Sequence, residues 1–316
     1  MTTVKAFWHN NKNTSEIKTE NIDFSDINQA VNLSSRYSSI SLGTEKLVAK
    51  GEIPIDLYNK MKVNYMTGSF DFPIKYGYSL VGQTEDNSWV HVMHPHQNQV
   101  IVNDHDCYFF SPEKIDPIVA TQFSNLETVI NAIWTSKVKN TDVVLVCGTG
   151  SIGILLAQTI KKYIGATVYV HETNPIKKEK LKDFGFDLCT NNIEYDITFN
   201  VSANERGLQY CIDHTIEEGK IIELSWYGNN PVVLQLGGNF HYKRLQIISS
   251  QVSSIPNEKK ETYDFLTRKQ LVEYLLTTID YKSFISNIIS FDQLPAYFEQ
   301  IRKNQPNNDF ITIVKY

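Results

Sequence analysis

A glycine-rich turn, set between an apolar strand and an amphipathic helix, constrains this chain more than any other feature in it. The turn consists of Gly148, Thr149, Gly150, Ser151, Ile152 and Gly153. Val143-Val144-Leu145-Val146 runs into it as a fully apolar strand. Ile152, Leu155, Leu156, Thr159, Ile160 and Tyr163 follow at the spacing of one helix face. A lone GxGxxG is weak evidence, but this strand–turn–helix setting makes it strong. Gly148 permits the tight turn, Gly150 lets the backbone approach a pyrophosphate, and Gly153 lets the helix pack close to the strand. The start of the helix then offers free N–H groups and the positive end of its dipole to phosphate. These six residues are expected to cradle a dinucleotide.

The surrounding pattern agrees. Thr167-Val168-Tyr169-Val170, Ile197 to Val201, Ile221 to Leu224 and Leu245 to Ser249 read as further strands with helices between them. Asn174 and Pro175 open one of those helices as cap and first residue, and Gly185 closes it. Strands alternating with helical crossovers imply an α/β fold, a Rossmann-type doubly wound parallel sheet covered on both faces. Residues 1 to about 120 instead read as short β runs broken by turns. A helix is expected from Tyr263 to Ile279. Phe310 to Tyr316 reads as a strand that needs a sheet to join, which the N-terminal β domain offers.

Glu172 stands nineteen residues past Gly153, at the end of the next strand. A carboxylate there takes the adenosine ribose hydroxyls and repels a 2′-phosphate, so NAD(H) is favoured over NADP(H). Lys177 and Lys178 follow soon after and weaken that preference. Ser202, Ser225 and Trp226 lie just past later strands, where this fold lines the nicotinamide pocket, and are the remaining cofactor candidates. Methyltransferases share a Gly-rich first turn and an acid after the second strand. Gly153 and the β-rich domain split around the sheet favour a dehydrogenase.

Composition narrows the classes further. Formal net charge is −5 over 316 residues, with both signs dispersed, which argues against a nucleic-acid partner. No stretch approaches the ~20 apolar residues of a membrane span. Met1-Thr-Thr-Val-Lys-Ala-Phe-Trp has no signal-peptide core, so a cytoplasmic location is expected. Cys107, Cys147, Cys189 and Cys211 form no C-x-x-C pair and are expected to be buried, reduced thiols.

The chain resembles the medium-chain dehydrogenases/reductases, the alcohol dehydrogenase superfamily, over nearly its whole length. Within it, it looks most like the branch of bacteriochlorophyllide a dehydrogenase and its relatives. The matching segments include Ser39-Ile-Ser-Leu-Gly-Thr-Glu45, Tyr76-Gly-Tyr-Ser79, His94-Pro-His-Gln97, Asn125 to Ala132 and Leu236 to His241. The resemblance implies a GroES-like catalytic domain from residues 1–121 and 254–316, a Rossmann domain at 122–253, and a homodimer acting on a small molecule.

The departures bear on mechanism. Zinc-using members carry Cys in a C-G-T-D-like segment and His in a G-H-E segment. Here these read Ser41-Leu-Gly-Thr44-Glu45 and Gly77-Tyr78-Ser79. Hydroxyl and phenol do not replace thiolate and imidazole as zinc ligands, so no zinc is expected. A residual site from His94, His96 and Glu45 is the alternative. Without a metal, a side chain must stabilise the developing oxyanion. Thr44 matches the family's hydroxyl relay position, Tyr78 stands at a lost ligand position, and His96 follows a β strand. These three are the catalytic candidates, with Glu45 and Glu127 as orienters. The expected function is zinc-independent NAD(H)-linked oxidation of a secondary alcohol or reduction of its ketone. The alternatives are a quinone or enoyl reductase and a catalytically silent NAD(H)-binding protein.

Overall fold

A computed structural model describes residues 2–22 and 29–316. The chain packs as two units. One comprises residues 1–124, 285–307 and 311–316, and the other 125–284 and 308–310.

The first unit is β-rich, a GroES-like domain. A four-stranded sheet runs in the order Thr14–Ile22, Thr2–Asn11, Ile74–Lys75, Thr67–Gly68. A larger sheet is organised on Ala30–Ile40. This strand pairs antiparallel with Ile311–Lys315 on one side and with Leu80–Gln83 on the other, while its first half pairs with Gln99–Asn103. Ile311, Ile313 and Val314 are fully buried, so the last strand is an interior member of the sheet. The register sets Val314 opposite Ser38 and Ser38 opposite Leu80.

The second unit holds one parallel six-stranded sheet. Its order is Asp187–Leu188, Thr167–His171, Val143–Cys147, Tyr195–Asn200, Thr215–Glu223, Gln246–Ser249. In sequence terms this is the 3-2-1-4-5-6 order of a Rossmann domain. The reversal of direction falls between Val143–Cys147 and Tyr195–Asn200, and a ligand binds outside the carboxyl ends of the strands at such a point. Local chemistry makes the helices. Asn174 caps Pro175–Asp183 by accepting the N–H groups of Ile176 and Lys177. Gly165 ends the preceding helical run in the left-handed conformation.

One expected boundary moves. Residues 254–284, assigned by sequence to the catalytic domain, pack with the nucleotide unit. Arg268, on the helix Phe265–Thr278, is 4% exposed and reaches Glu127 with Nε and Nη2 at 3.3 and 3.2 Å. Its Nη1 donates to Asn131 Oδ1 and to the Val252 carbonyl. Tyr281 and Thr159 share a hydrogen bond at 2.8 Å. Glu127, named above as an orienter, is engaged by this buried ion pair. The expectation of four buried thiols is also corrected. None of the four is in a disulfide, but Cys107 and Cys189 are only half-buried. No helix among the described residues is long and apolar enough to cross a membrane.

Candidate active site

The second unit places the glycine turn at the switch point of its sheet. Gly148 has φ +94°, and a Cβ there would sit 2.7 Å from Ser202 Cα. A Cβ on Gly153 would lie 1.9 Å from the Gly148 carbonyl oxygen. Gly150 differs from both. It begins the helix Ser151–Thr159 with φ −69°, and a Cβ on it would have nothing within 4 Å. Turn and helix are thus locked together by absent side chains, and space stays open before the helix N–H groups. That arrangement fits a pyrophosphate.

Glu172 is held beside this space. Its Oε2 accepts the Thr149 hydroxyl at 2.5 Å, and its Oε1 accepts the N–H groups of Thr173 and Asn174 at 2.7 and 2.9 Å. Burial pushes its pKa up. Hydrogen bonds from Asn174 and Thr149, together with the nearby Lys177 ammonium, outweigh that and hold it below the usual value. Lys177 Nζ lies 4.0 Å from Glu172 and donates to the Thr149 carbonyl at 3.0 Å. Thr149 is buried, so its side chain acts through Glu172. The Ser151 hydroxyl donates to the Phe310 carbonyl, and Ile152 is half-buried.

Just past the neighbouring strand Tyr195–Asn200, the Ser202 hydroxyl donates to Asn200 Oδ1 at 2.7 Å. The Ser225 hydroxyl accepts the Ala203 N–H at 3.0 Å, and Trp226 is half-buried. Between them lies a group that the sequence analysis passed over. Glu223 accepts from Asn200 Nδ2 at 2.7 Å, the Tyr227 hydroxyl at 3.1 Å and the Ser225 N–H at 2.7 Å. Burial raises its pKa against those hydrogen bonds. A polar Asn200 and an acidic Glu223 at the carboxyl ends of neighbouring strands were the available signal.

The first unit gathers the catalytic candidates. Glu45 stands in the first turn of the helix Leu42–Lys50, where the helix dipole favours an acid. Its Oε1 accepts the Ser41 N–H at 2.8 Å. Its Oε2 lies 2.9 Å from His96 Nε2, and the two side chains are 2% and 1% exposed. His96 Nδ1 meets the Ser38 hydroxyl at 2.7 Å. Gly77, with φ +131°, leaves room for this imidazole; a Cβ there would lie 3.1 Å from His96 Cδ2. Tyr78 hydrogen-bonds the side chains of Ser41 and Thr44. Burial pushes its phenol up to about 12 against those bonds, so it keeps its proton at neutral pH.

These donors do not fit a tetrahedral zinc. Glu45 and His96 are the ligand types available here, and each is engaged with the other. Ser41 and Tyr78 are poor zinc ligands. His94 takes no part. Its Nδ1 bonds the Pro95 carbonyl at 2.8 Å and its ring stacks on Tyr65. Burial lowers its pKa to about 3. Among the described residues no group of three or more His, Cys, Asp or Glu is arranged to hold a metal ion.

Known structures share this architecture along the whole chain. A short chain alcohol dehydrogenase from E. coli CFT073, complexed with NADH, superposes with a TM-score of 0.76 at 13% identity, covering 100% of both chains. The 2R,3R-butanediol dehydrogenase of Bacillus subtilis superposes with a TM-score of 0.73 at 16% identity, again over 100% of both chains. The chain has the alcohol dehydrogenase fold. By sequence it is similar to an S-(hydroxymethyl)glutathione dehydrogenase of Photobacterium damsela subsp. piscicida, 34% identical over 83 residues. That match covers 26% of this chain and 22% of the relative's length. No family model matches the chain. The alcohol dehydrogenase fold is thus shared at sequence identities that carry architecture and leave the chemistry to the residues of the site.

Proposed function

We propose that this chain is a zinc-independent, NAD(H)-linked oxidoreductase acting on a secondary alcohol or the matching ketone. The glycine cradle with Glu172 beside it is the observation that carries this reading. Bound NAD(H) supplies the hydride chemistry. The chain's own residues manage the proton at the substrate oxygen. Tyr78, protonated and bonded to Ser41 and Thr44, is the donor to that oxygen, and Thr44 is the second hydroxyl in contact with it. His96 has both ring nitrogens engaged within the protein, so it acts as a positioning residue through Glu45 and not on the substrate itself.

Fluorescence titration with NADH and NADPH, with metal analysis of the same sample, tests the core of this proposal. Micromolar NADH binding without stoichiometric zinc is the expected result. One zinc per chain, or no binding of either nucleotide, overturns it. Tyr78→Phe is expected to lower kcat about 100-fold or more, the scale of a lost general acid, with NADH affinity unchanged.

Glu172 sets the preference between coenzymes. Glu172→Ala removes the ribose acceptor and leaves Lys177 as the local charge. The ratio of NADH to NADPH affinity is expected to fall about tenfold or more, which is about 1.4 kcal/mol. An unchanged ratio would place the ribose elsewhere. The contact also carries a pH signature. The folded-state pKa of Glu172 lies below its unfolded value, so its contribution to stability is present above the unfolded pKa. It is lost as pH falls through the depressed folded value. Glu172→Ala therefore flattens the acid limb of the stability curve.

A second reading, a silent NAD(H)-binding protein, is favoured by one observation, the mutual engagement of Glu45 and His96. Tight NADH binding with no turnover over a panel of alcohols, ketones and quinones would select it.

A further inference from the structure

Four side chains from three separated stretches of the first unit form an unbroken hydrogen-bonded row. The Tyr316 hydroxyl lies 2.9 Å from Ser38 Oγ, across 278 residues of sequence. Ser38 Oγ lies 2.7 Å from His96 Nδ1, and His96 Nε2 lies 2.9 Å from Glu45 Oε2. The row is closed at both ends. The Gln97 backbone N–H donates to the Tyr316 oxygen. Glu45 Oε1 is taken by the Ser41 N–H. Ser38 is fully buried, and the Tyr316 ring stacks on Phe291 with centroids 4.9 Å apart.

The chemistry of the two ends decides where each proton lies. A backbone N–H only donates, and a carboxylate only accepts. Starting at Glu45, His96 must present a proton on Nε2. In the neutral ring Nδ1 is then a lone pair and needs a donor. The single Ser38 proton fills that need, so the Ser38 oxygen must accept from Tyr316. The Tyr316 oxygen in turn accepts from Gln97. Every proton in the row therefore points the same way, from Gln97 towards Glu45.

We infer that Tyr316 and Ser38 are positioning residues that hold His96 as its Nε2–H tautomer and, through it, aim Glu45 beside the Ser41–Thr44–Tyr78 hydroxyls. The tautomer follows from the partners of the two ring nitrogens, with Glu45 as a carboxylate and the imidazole neutral. Its catalytic consequence rests on the proposed function.

The test uses the full chain labelled with 15N-histidine, with the His96 signals identified by their loss in His96→Gln. Long-range 1H–15N spectra are expected to show His96 protonated on Nε2 and bare on Nδ1. In Ser38→Ala the His96 Nδ1 signal is expected to shift, because Nδ1 loses its donor while Glu45 still faces Nε2. Tyr316→Phe, which removes one oxygen and keeps the ring on Phe291, is expected to shift the His96 signals in the same direction while preserving the melting temperature. With a turned-over substrate, each variant is expected to lose about tenfold in kcat, as misaligned groups do, with KM for NADH unchanged. A wild-type Nδ1–H tautomer overturns the inference, as do His96 signals unchanged in both variants. An Nε2–H tautomer that both variants disturb, in a chain with no turnover, upholds the inference and removes the enzymatic reading alone.

Discussion

Gly150→Ala is expected to abolish NADH binding in a chain that stays as stable as the wild type, whereas Gly153→Ala loses both binding and stability. The two glycines sit in one turn but are needed for different reasons. A methyl on Gly150 meets nothing within 4 Å, and φ of −69° there is open to any residue. The folded protein therefore accepts an alanine at this position. The methyl would occupy the space through which a pyrophosphate reaches the helix N–H groups, and affinity is expected to fall at least 100-fold, about 2.8 kcal/mol. At Gly153 the methyl would meet a backbone carbonyl oxygen at 1.9 Å, so turn and helix must move apart. Overpacking of this kind costs about 1–3 kcal/mol. It opposes the gain of up to ~1 kcal/mol that Gly→Ala normally brings inside a helix. Titration calorimetry and thermal melts on both variants decide the matter. NADH affinity within threefold of wild type in Gly150→Ala would sink the cradle assignment.

Arg268→Met is expected to destabilise the nucleotide unit by about 3–5 kcal/mol, the usual cost of leaving a buried charge without its partner. Glu127 and Arg268 are 6% and 4% exposed, and Arg268 also satisfies Asn131 and the Val252 carbonyl. The loss should be largely reversed in the double variant Glu127→Met, Arg268→Met, because an apolar pair replaces a buried ion pair at little net cost. Urea unfolding of the two variants measures this. If Arg268→Met costs less than about 1 kcal/mol, on the scale of an exposed pair, the pair does not hold the 254–284 segment to this unit.

The Glu127–Arg268 pair also shows why sequence placed a domain boundary wrongly. The end of the strand–helix alternation near residue 254 looked like the end of the domain. The helix Phe265–Thr278 nonetheless belongs to the nucleotide unit, through a contact spanning 141 residues that no local pattern announces. Glu127 suffered the same way. An acid on the helix preceding the sheet reads as a catalytic orienter until its buried guanidinium partner is seen. His96 was legible as a candidate from its place after a strand. Its role was not, because that depends on what occupies both of its nitrogens.

What the sequence by itself determined is the Rossmann half. Apolar strand, glycine turn, following helix and Glu172 all lie within about thirty residues, and each follows from short-range backbone geometry. Side-chain period, cap chemistry and φ preference act between near neighbours, so they survive in the linear text. Only the tertiary structure decided how Ser38, Glu45, His96 and Tyr316 meet. Their row exists because Ile311–Lys315 pairs antiparallel with Ala30–Ile40 in one register, with Val314 opposite Ser38. A slip of one residue would send Ser38 to the other face of the sheet. Register between strands so far apart in sequence is settled by burial of the assembled sheet and by nothing that either strand carries alone.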